Sequence, residues 1–182
     1  MVKQVLFIQG GGDNGYEVDT ALVTSLQITL GKEYDIIYPK IHNDESLSDF
    51  GWTQQIGKEI SALNDNLILA GHSFGASMIL KYLSENFVEK KIAGVFLIST
   101  PVWSGDEDWK KGLKLRENFA EGLPKEVPIF FYHCQDDEEV PFSHLSFYRE
   151  KLTHATFREI YRGGHQLNND LTLVARDIKS LK

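Results

Sequence analysis

Cysteine is nearly absent from this sequence of 182 residues, in which Cys134 is the single example. One cysteine excludes an internal disulfide and is typical of a reducing compartment, so we expect a cytoplasmic location. Long apolar runs are absent as well. None approaches the ~20 residues that a membrane-crossing helix needs, and the opening MVKQVLFIQGGG lacks the pattern of a signal peptide. We therefore expect no membrane association.

Basic residues are outnumbered by acidic ones, 19 against 26, which gives a formal net charge of -7 at pH 7. Nucleic acids and anionic membranes reward a basic face, so neither is an expected partner, and a small-molecule substrate is favoured. Hydrophobic residues make up 42% and charged residues 25%, as in ordinary globular proteins, and the length suits one domain over residues 1–182. No metal is expected, because metal-ligand spacing is missing among His42, His133, His144 and His154.

Short apolar runs alternate with amphipathic segments along the chain. The predicted strands are 4–9, 34–38, 66–70, 92–99, 127–134 and 156–161. Most are nearly continuous apolar runs, which is typical of parallel strands covered on both faces. The alternation predicts a doubly wound, mainly parallel sheet of about six strands with helices on both faces. Residues 101–126 have room for one helix and a loop, so we expect a minimal lid or none.

The segment GHSFG, residues 71–75, lies where the third predicted strand ends and a helix begins, and it matches G-x-S-x-G. A serine in this sharp turn needs a strained backbone, and glycines on either side let strand and helix approach closely. We interpret Ser73 as a candidate nucleophile. The next amide, that of Phe74, lies at the positive end of the helix and is a candidate oxyanion donor.

A serine hydroxyl needs a base, and the base needs an orienting acid. His165 follows the last predicted strand behind two glycines, and Asp136 and Asp137 follow the fifth. Position alone does not choose between the two aspartates. The chain order serine, aspartate, histidine is that of the α/β-hydrolases rather than of the two well-known serine protease folds.

Three glycines, residues 10–12, follow the first predicted strand and lie beside GHSFG. A flexible loop there can turn an amide toward a developing oxyanion, and we select Gly11. Gly10, Gly12 and Gly15 also fit the G-x-G-x-x-G spacing of a dinucleotide site. The second predicted strand, however, closes with YPK, residues 38–40, rather than with an acidic residue.

Four motifs and the final helix together resemble the α/β-hydrolase superfamily, particularly its small lidless serine hydrolases, including relatives of retinoblastoma-binding protein nine. The motifs are the glycine loop, GHSFG, DDEEVP (136–141) and GGH (163–165), and the resemblance covers nearly the whole chain. The acid of that family commonly precedes x-x-V-P, which implies Asp137. The sequence departs from the family's pattern in two ways: the leading strand pair is missing, and Gln9-Gly10 replaces the usual histidine-glycine.

The resemblance implies a serine hydrolase that cleaves a small carboxylic ester, amide or thioester without metal or organic cofactor. Its catalytic residues would be Ser73, Asp137 and His165, with Phe74 and Gly11 supplying the oxyanion-hole amides. Two rival functions stay open: a binding protein that keeps the fold, and a nucleotide-binding protein that uses the glycine loop.

Several neighbouring residues have plainer interpretations. We interpret His72 as filling space beside GHSFG rather than as a base, and Cys134 as a small apolar side chain near a strand end. Trp52, Trp103 and Trp109 fit either the core or a pocket wall, and the sequence does not separate the two.

Overall fold

The structure, a computed structural model, describes residues 2–181. Its strands are β1 (Lys3–Ile8), β2 (Tyr34–Ile37), β3 (Leu67–His72), β4 (Ile92–Ile98), β5 (Ile129–Cys134) and β6 (Thr156–Ile160). Its helices are α1 (Gly15–Leu30), α2 (Trp52–Ala62), α3 (Ser73–Glu85), α4 (Phe119–Gly122), α5 (Ser143–Lys151) and α6 (Thr172–Lys179). Short 3-10 turns lie at Asp108–Lys110 and Leu167–Asn169.

All six strands belong to one sheet in the order β2-β1-β3-β4-β5-β6, and each neighbouring pair is parallel. Every residue of β3 is buried, as the continuous apolar pattern predicted. The predicted doubly wound sheet of six strands is therefore confirmed, and within residues 2–181 its pairing is wholly parallel rather than mainly so.

Helices cover both faces of the sheet. Alternate residues of a strand point to opposite sides, so strands that are apolar throughout present an apolar surface on each face. On one face α1 and α6 pack their leucine, valine and isoleucine side chains against β-strand residues such as Phe7 and Phe96. On the other face α2, α3 and α5 pack against residues such as Leu69 and Leu97. No helix within residues 2–181 has both the length and the apolar character to cross a membrane.

The strand bounds differ from the predicted ones by one or two residues. Strands β1, β2, β4 and β6 end one residue early, and β5 begins at Ile129 rather than at 127. Strand β3 instead continues two residues beyond its predicted end, because His72 still pairs with Ile98 of β4. Ser73 therefore follows the strand directly, with no intervening loop.

The connection between β4 and β5 holds one short helix and a loop, within the room that the sequence indicated. Besides the 3-10 turn it holds the single turn α4, which ends at Gly122. Leu123 precedes Pro124, and the residue before a proline is disfavoured in a helical conformation. Gly122 also lies so close to α3 that a side chain there would be 2.0 Å from the carbonyl oxygen of Ser84. Within the described residues, no helical lid rises from this connection.

The strand order places a crevice where the site was predicted. The chain leaves β1 for β2 on one side and returns to β3 on the other, so the order reverses at β1. Ligands of such sheets bind beyond the carboxyl ends of the strands at this reversal. The glycine loop 10–12 and Ser73 follow the two strands that border it, β1 and β3.

Candidate active site

Ser73 begins α3 with a left-handed backbone, φ = 50°, immediately after the extended residue His72. Such a conformation is strained for any residue other than glycine and is kept where the surroundings fix it. The two flanking glycines explain how the turn fits. A side chain at Gly75 would lie 2.1 Å from the carbonyl oxygen of Gln9 on the chain leaving β1, and one at Gly71 would lie 2.7 Å from Ile79.

His165 follows β6 behind Gly163 and Gly164, both with positive φ. Its side chain is largely enclosed, and the residue is 5% exposed. Its Nδ1 lies 3.0 Å from each carboxylate oxygen of Asp137. His165 and Ser73 line one cavity of about 200 Å³, so the structure brings the three predicted site residues together.

The loop after β5 carries four consecutive carboxylates, residues 136–139. Besides Asp137, the other three also contact His165 or the two glycines that precede it. Asp136 Oδ1 accepts the N–H groups of residues 163–164 at 2.9 Å each. Glu138 accepts the backbone N–H of His165 at 3.1 Å. Glu139 Oε2 lies 4.0 Å from His165 Nε2. Asp136, the aspartate that the resemblance did not select, therefore also holds the loop of His165 in place.

Asp137 has more partners than the predicted histidine alone. Its Oδ1 accepts the backbone N–H groups of Glu139 and Val140 at 2.9 and 2.8 Å, and Oδ2 lies 3.3 Å from Nε2 of the buried His133. Burial alone would raise the pKa of Asp137, but the hydrogen bonds from His133, His165 and the two amides outweigh burial and lower that pKa. Asp137 therefore stays ionised beside His165.

The electrostatics of His165 follow from the same loop. Burial disfavours the charged imidazolium and lowers the pKa of His165. The hydrogen bond to Asp137, together with the negative charges of Asp137, Glu139 and Glu138, outweighs burial, so the pKa of His165 is raised above its ordinary value. A proton that arrives at this imidazole is thereby stabilised.

A second buried carboxylate, Asp19 on α1, is 1% exposed and joins three segments of the site. It accepts the backbone N–H of Gly10 at 2.7 Å and an N–H of the Gln166 side chain at 3.2 Å. Nδ1 of His72 lies 3.0 Å from both of its oxygens. Asp19 thus connects the glycine loop, the serine turn and the loop of His165.

His72 extends this connection to the backbone of His165. Its Nε2 lies 3.0 Å from the carbonyl oxygen of His165, which also accepts the hydroxyl of Ser99 at 3.0 Å. A carbonyl only accepts hydrogen bonds, so Nε2 carries a proton. His72 therefore positions the loop of His165 and does more than fill space.

One backbone amide of the glycine loop, that of Gly10, already donates a hydrogen bond within the protein. Asp19 takes the N–H of Gly10, so Gly11 carries the next amide along the chain. Gly11 packs against the serine turn, since a side chain there would lie 3.0 Å from Cβ of Phe74. Gln9, which replaces the histidine usual in the family, instead pairs through its amide with both backbone groups of Ile41.

A second cavity of about 350 Å³ adjoins Ser73, and we call it the aromatic cleft because Phe50, Phe74, Trp103 and Trp109 line it. Glu139 lines it too and contributes a carboxylate. The structure thereby separates the three tryptophans: two border the cleft, while Trp52 is buried behind Phe74 at a ring distance of 4.6 Å.

Cys134 is fully buried at the end of β5, as interpreted from the sequence. Burial and the nearby carboxylates of Asp136, Asp137 and Glu138 raise the pKa of its thiol to about 12. Across residues 2–181 no three His, Cys, Asp or Glu side chains are grouped so that they could hold a metal ion.

Sequence reasoning missed Asp19, His133 and Glu138. A signal for Asp19 was available, because it shares the buried face of α1 with Leu22 and Leu26. A carboxylate at a position with apolar spacing demands a buried partner. His133 and Glu138 gave no comparable signal.

The chain belongs to the family described as serine hydrolase, whose profile matches residues 40–170. This range includes Ser73, Asp137 and His165. Taken with the sheet, it places the protein in the α/β-hydrolase superfamily, as the motifs had indicated.

Several known proteins are similar to most of the chain. YdeN of Bacillus subtilis (strain 168), which carries the name of a hydrolase, is 24% identical over 175 residues, covering 93% of this chain and 89% of its own. The crystal structure of Arabidopsis thaliana SOBER1 has a TM-score of 0.67 at 19% identity and covers 97% of each chain. A thioesterase domain from the curacin biosynthetic pathway has a TM-score of 0.74 at 18% identity, covering 98% of this chain and 91% of that one.

We expect Asp19→Ala to lower the kcat of hydrolase turnover by about 10²-fold with little change in KM, because the loop of His165 loses its anchor. Asp19→Asn should keep kcat within about fivefold of wild type. Asparagine can offer its oxygen to Gly10 and its NH₂ to His72. Rotation of the Gln166 side-chain amide would then present Oε1, which has no partner among residues 2–181, to that NH₂ in place of Nε2.

The kcat values are normalised to the folded fraction, measured by near-ultraviolet circular dichroism. An Asp19→Ala enzyme with wild-type kcat would contradict a positioning role for Asp19. An equal loss in Asp19→Asn and Asp19→Ala would contradict the hydrogen-bond assignment.

Proposed function

We propose that the protein hydrolyses a small carboxylic ester through an acyl-enzyme on Ser73. The observation that supports this is the ionised Asp137 held against Nδ1 of His165, beside a strained serine in the same cavity. Membership of the serine hydrolase family agrees with it.

In the proposed first half-reaction, Ser73 Oγ attacks the ester carbonyl carbon while Nε2 of His165 takes the hydroxyl proton. The carbonyl oxygen gains the negative charge, and the amides of Phe74 and Gly11 stabilise it. Collapse of this intermediate breaks the bond to the alcohol, which leaves with the proton from Nε2. Asp137 keeps Nδ1 protonated and stabilises the imidazolium.

In the second half-reaction, water attacks the acyl carbon and gives one proton to Nε2 of His165. The bond to Ser73 Oγ breaks, Oγ recovers that proton, and the carboxylic acid is released. Every proton is returned, so this route consumes only ester and water. The same carbonyl chemistry extends to a thioester or a small amide. A thioester is the substrate class given in the name of the similar curacin thioesterase domain.

The substrate should be short on the acyl side. The cavity shared by Ser73 and His165 has about 200 Å³, and the β4–β5 connection contributes only a 3-10 turn and the single turn α4. A deep covered pocket for a long acyl chain would need more enclosing chain than these elements provide.

Ser73→Ala should abolish hydrolysis of p-nitrophenyl acetate and labelling by a fluorophosphonate probe, while the fold is kept. Alanine fits the same turn but offers no nucleophile. Mass spectrometry of the labelled wild type should locate the modification on Ser73, and Ser61→Ala on α2 is the control. Failure of wild type to label would favour a binding protein that keeps the fold, and wild-type turnover by Ser73→Ala would remove the nucleophile assignment.

Asp137→Asn should lower kcat by about 10⁴, because an amide facing Nδ1 favours the wrong tautomer of His165. Asp136→Asn is the matched control one residue away and should cost about tenfold or less, since its Oδ1 can still accept both amides of residues 163–164. Measuring kcat of both variants on one ester compares them directly. A larger loss in Asp136→Asn would assign the acid to the other aspartate.

Activity should rise with pH through one ionisation whose midpoint lies above the ordinary histidine value of ~6.5. The reason is that His165 must be neutral to accept the serine proton, and its surroundings raise its pKa. Measuring kcat/KM between about pH 5 and 9 tests this. Glu139→Gln should lower the midpoint, whereas the remote Glu33→Gln should not. A flat profile would contradict a histidine base.

A further inference from the structure

We propose that the aromatic cleft selects esters whose alcohol carries a cationic ammonium group. This inference rests on the proposed ester hydrolysis and names its substrate class. It depends on the charges that line the site, on the arrangement of the aromatic rings and on the place of Glu139 beside His165.

The charges that line the site are acidic. Neither the cavity shared by Ser73 and His165 nor the aromatic cleft has a lysine or arginine among its lining residues. The two carboxylates there are Asp19 and Glu139. Asp19 is 1% exposed and its oxygens are occupied by Gly10, His72 and Gln166. Glu139 is therefore the carboxylate available to a ligand, and its side chain is 70% exposed. An anionic substrate would meet repulsion, and a cationic one attraction.

The rings of the aromatic cleft face more than one direction. Trp103 lies nearly edge-on to Phe74, with centroids 5.5 Å apart and planes at 70°. Its centroid also lies 5.8 Å from that of Trp109, with the two ring planes at 72°. Its indole N–H donates to Ser77 Oγ at 3.0 Å, which fixes the ring. Aromatic faces arranged around a small space attract quaternary and protonated ammonium groups.

Trp109 already contacts a cation in the structure. The Nζ of Lys110 lies 5.2 Å from the centroid of the Trp109 ring, within the range of cation–π attraction. Lys110 is itself paired with Glu107 at 2.8 Å and does not line the cleft. The Trp109 ring is thus able to make a cation–π contact, and the charge of the lysine already there is offset by Glu107.

Glu139 also indicates which part of the substrate carries the charge. Its Oε2 lies 4.0 Å from Nε2 of His165, the atom that hands a proton to the departing alcohol. A cation drawn to Glu139 therefore belongs to the alcohol rather than to the acyl group. Because Ser73 itself lines the aromatic cleft, an ester whose carbonyl lies at Ser73 can place an ammonium group of its alcohol in the cleft.

The test compares two acetate esters of the same shape. Acetylcholine carries a trimethylammonium group, and 3,3-dimethylbutyl acetate has a neutral tert-butyl group in its place. We expect kcat/KM to favour acetylcholine by about tenfold or more at low ionic strength, and the preference should shrink as salt is added. A ratio of one or below in wild type would overturn the inference.

Variants locate the preference. Glu139→Gln and Trp109→Leu should each lower the ratio of the two kcat/KM values by about threefold to tenfold. Glu33→Gln removes the same charge from the opposite end of the sheet and should leave the ratio unchanged. A ratio that survives both cleft variants, or falls equally with Glu33→Gln, would also overturn the inference.

Binding to Ser73→Ala separates this inference from the proposed hydrolysis. Quenching of tryptophan fluorescence by choline and by 3,3-dimethylbutan-1-ol requires no turnover. If wild type fails to hydrolyse p-nitrophenyl acetate, the proposed function fails, yet tighter binding of choline would still support a cation site. Equal binding of the two alcohols would refute that site whatever the enzyme hydrolyses.

Discussion

His165 follows two glycines with positive φ, so the loop that carries it has little stiffness of its own. Its position is imposed from outside by four successive carboxylates, residues 136–139, which contact the glycine amides, the His165 amide and both sides of its ring. Such a concentration of negative charge would be repulsive on a free loop. Here each of the first three carboxylates accepts hydrogen bonds from backbone or imidazole N–H groups, and Asp137, Glu138 and Glu139 favour a protonated histidine.

The opposite side of the same loop is held by a buried pair, Asp19 and His72. Burying a charge is costly unless its hydrogen bonds are satisfied. Asp19 meets that condition with three partners from three segments, so the arrangement is stable only when all the segments are in place. The helix α1, which contributes nothing to the proposed chemistry, therefore fixes its geometry.

The sequence predicted the sheet because strands covered on both faces are continuously apolar, a pattern that is local and strong. It also predicted the positions of Ser73, Asp137 and His165, since each lies in a short motif at the end of a strand. Their catalytic roles stay predictions. Phe74 and Gly11 likewise stay candidate oxyanion donors, although Gly11 does pack against Phe74.

What the sequence could not predict depends on contacts between distant residues. His72 was interpreted as a space-filling side chain because its two partners are 53 and 93 residues away. The sequence indicated room for one helix and a loop between β4 and β5, but it did not predict that the helix α4 would end after a single turn, at Gly122 before Pro124. The sequence placed Asp136 and Asp137 after the fifth strand, but it could not show that all four carboxylates of residues 136–139 contact the loop that follows β6.

The contact between Asp19 and Gln166 joins residues 147 positions apart, and the backbone N–H of Leu171 donates to Ser25 across 146. Closing loops of this length costs entropy before any contact compensates for it, so such contacts form late in folding. Ser73 lies in the first half of the chain, whereas His165 lies near its end. A chain that is still emerging from the ribosome therefore carries Ser73 long before it carries His165, and the cavity that these two residues share forms only after residue 165 has been synthesised.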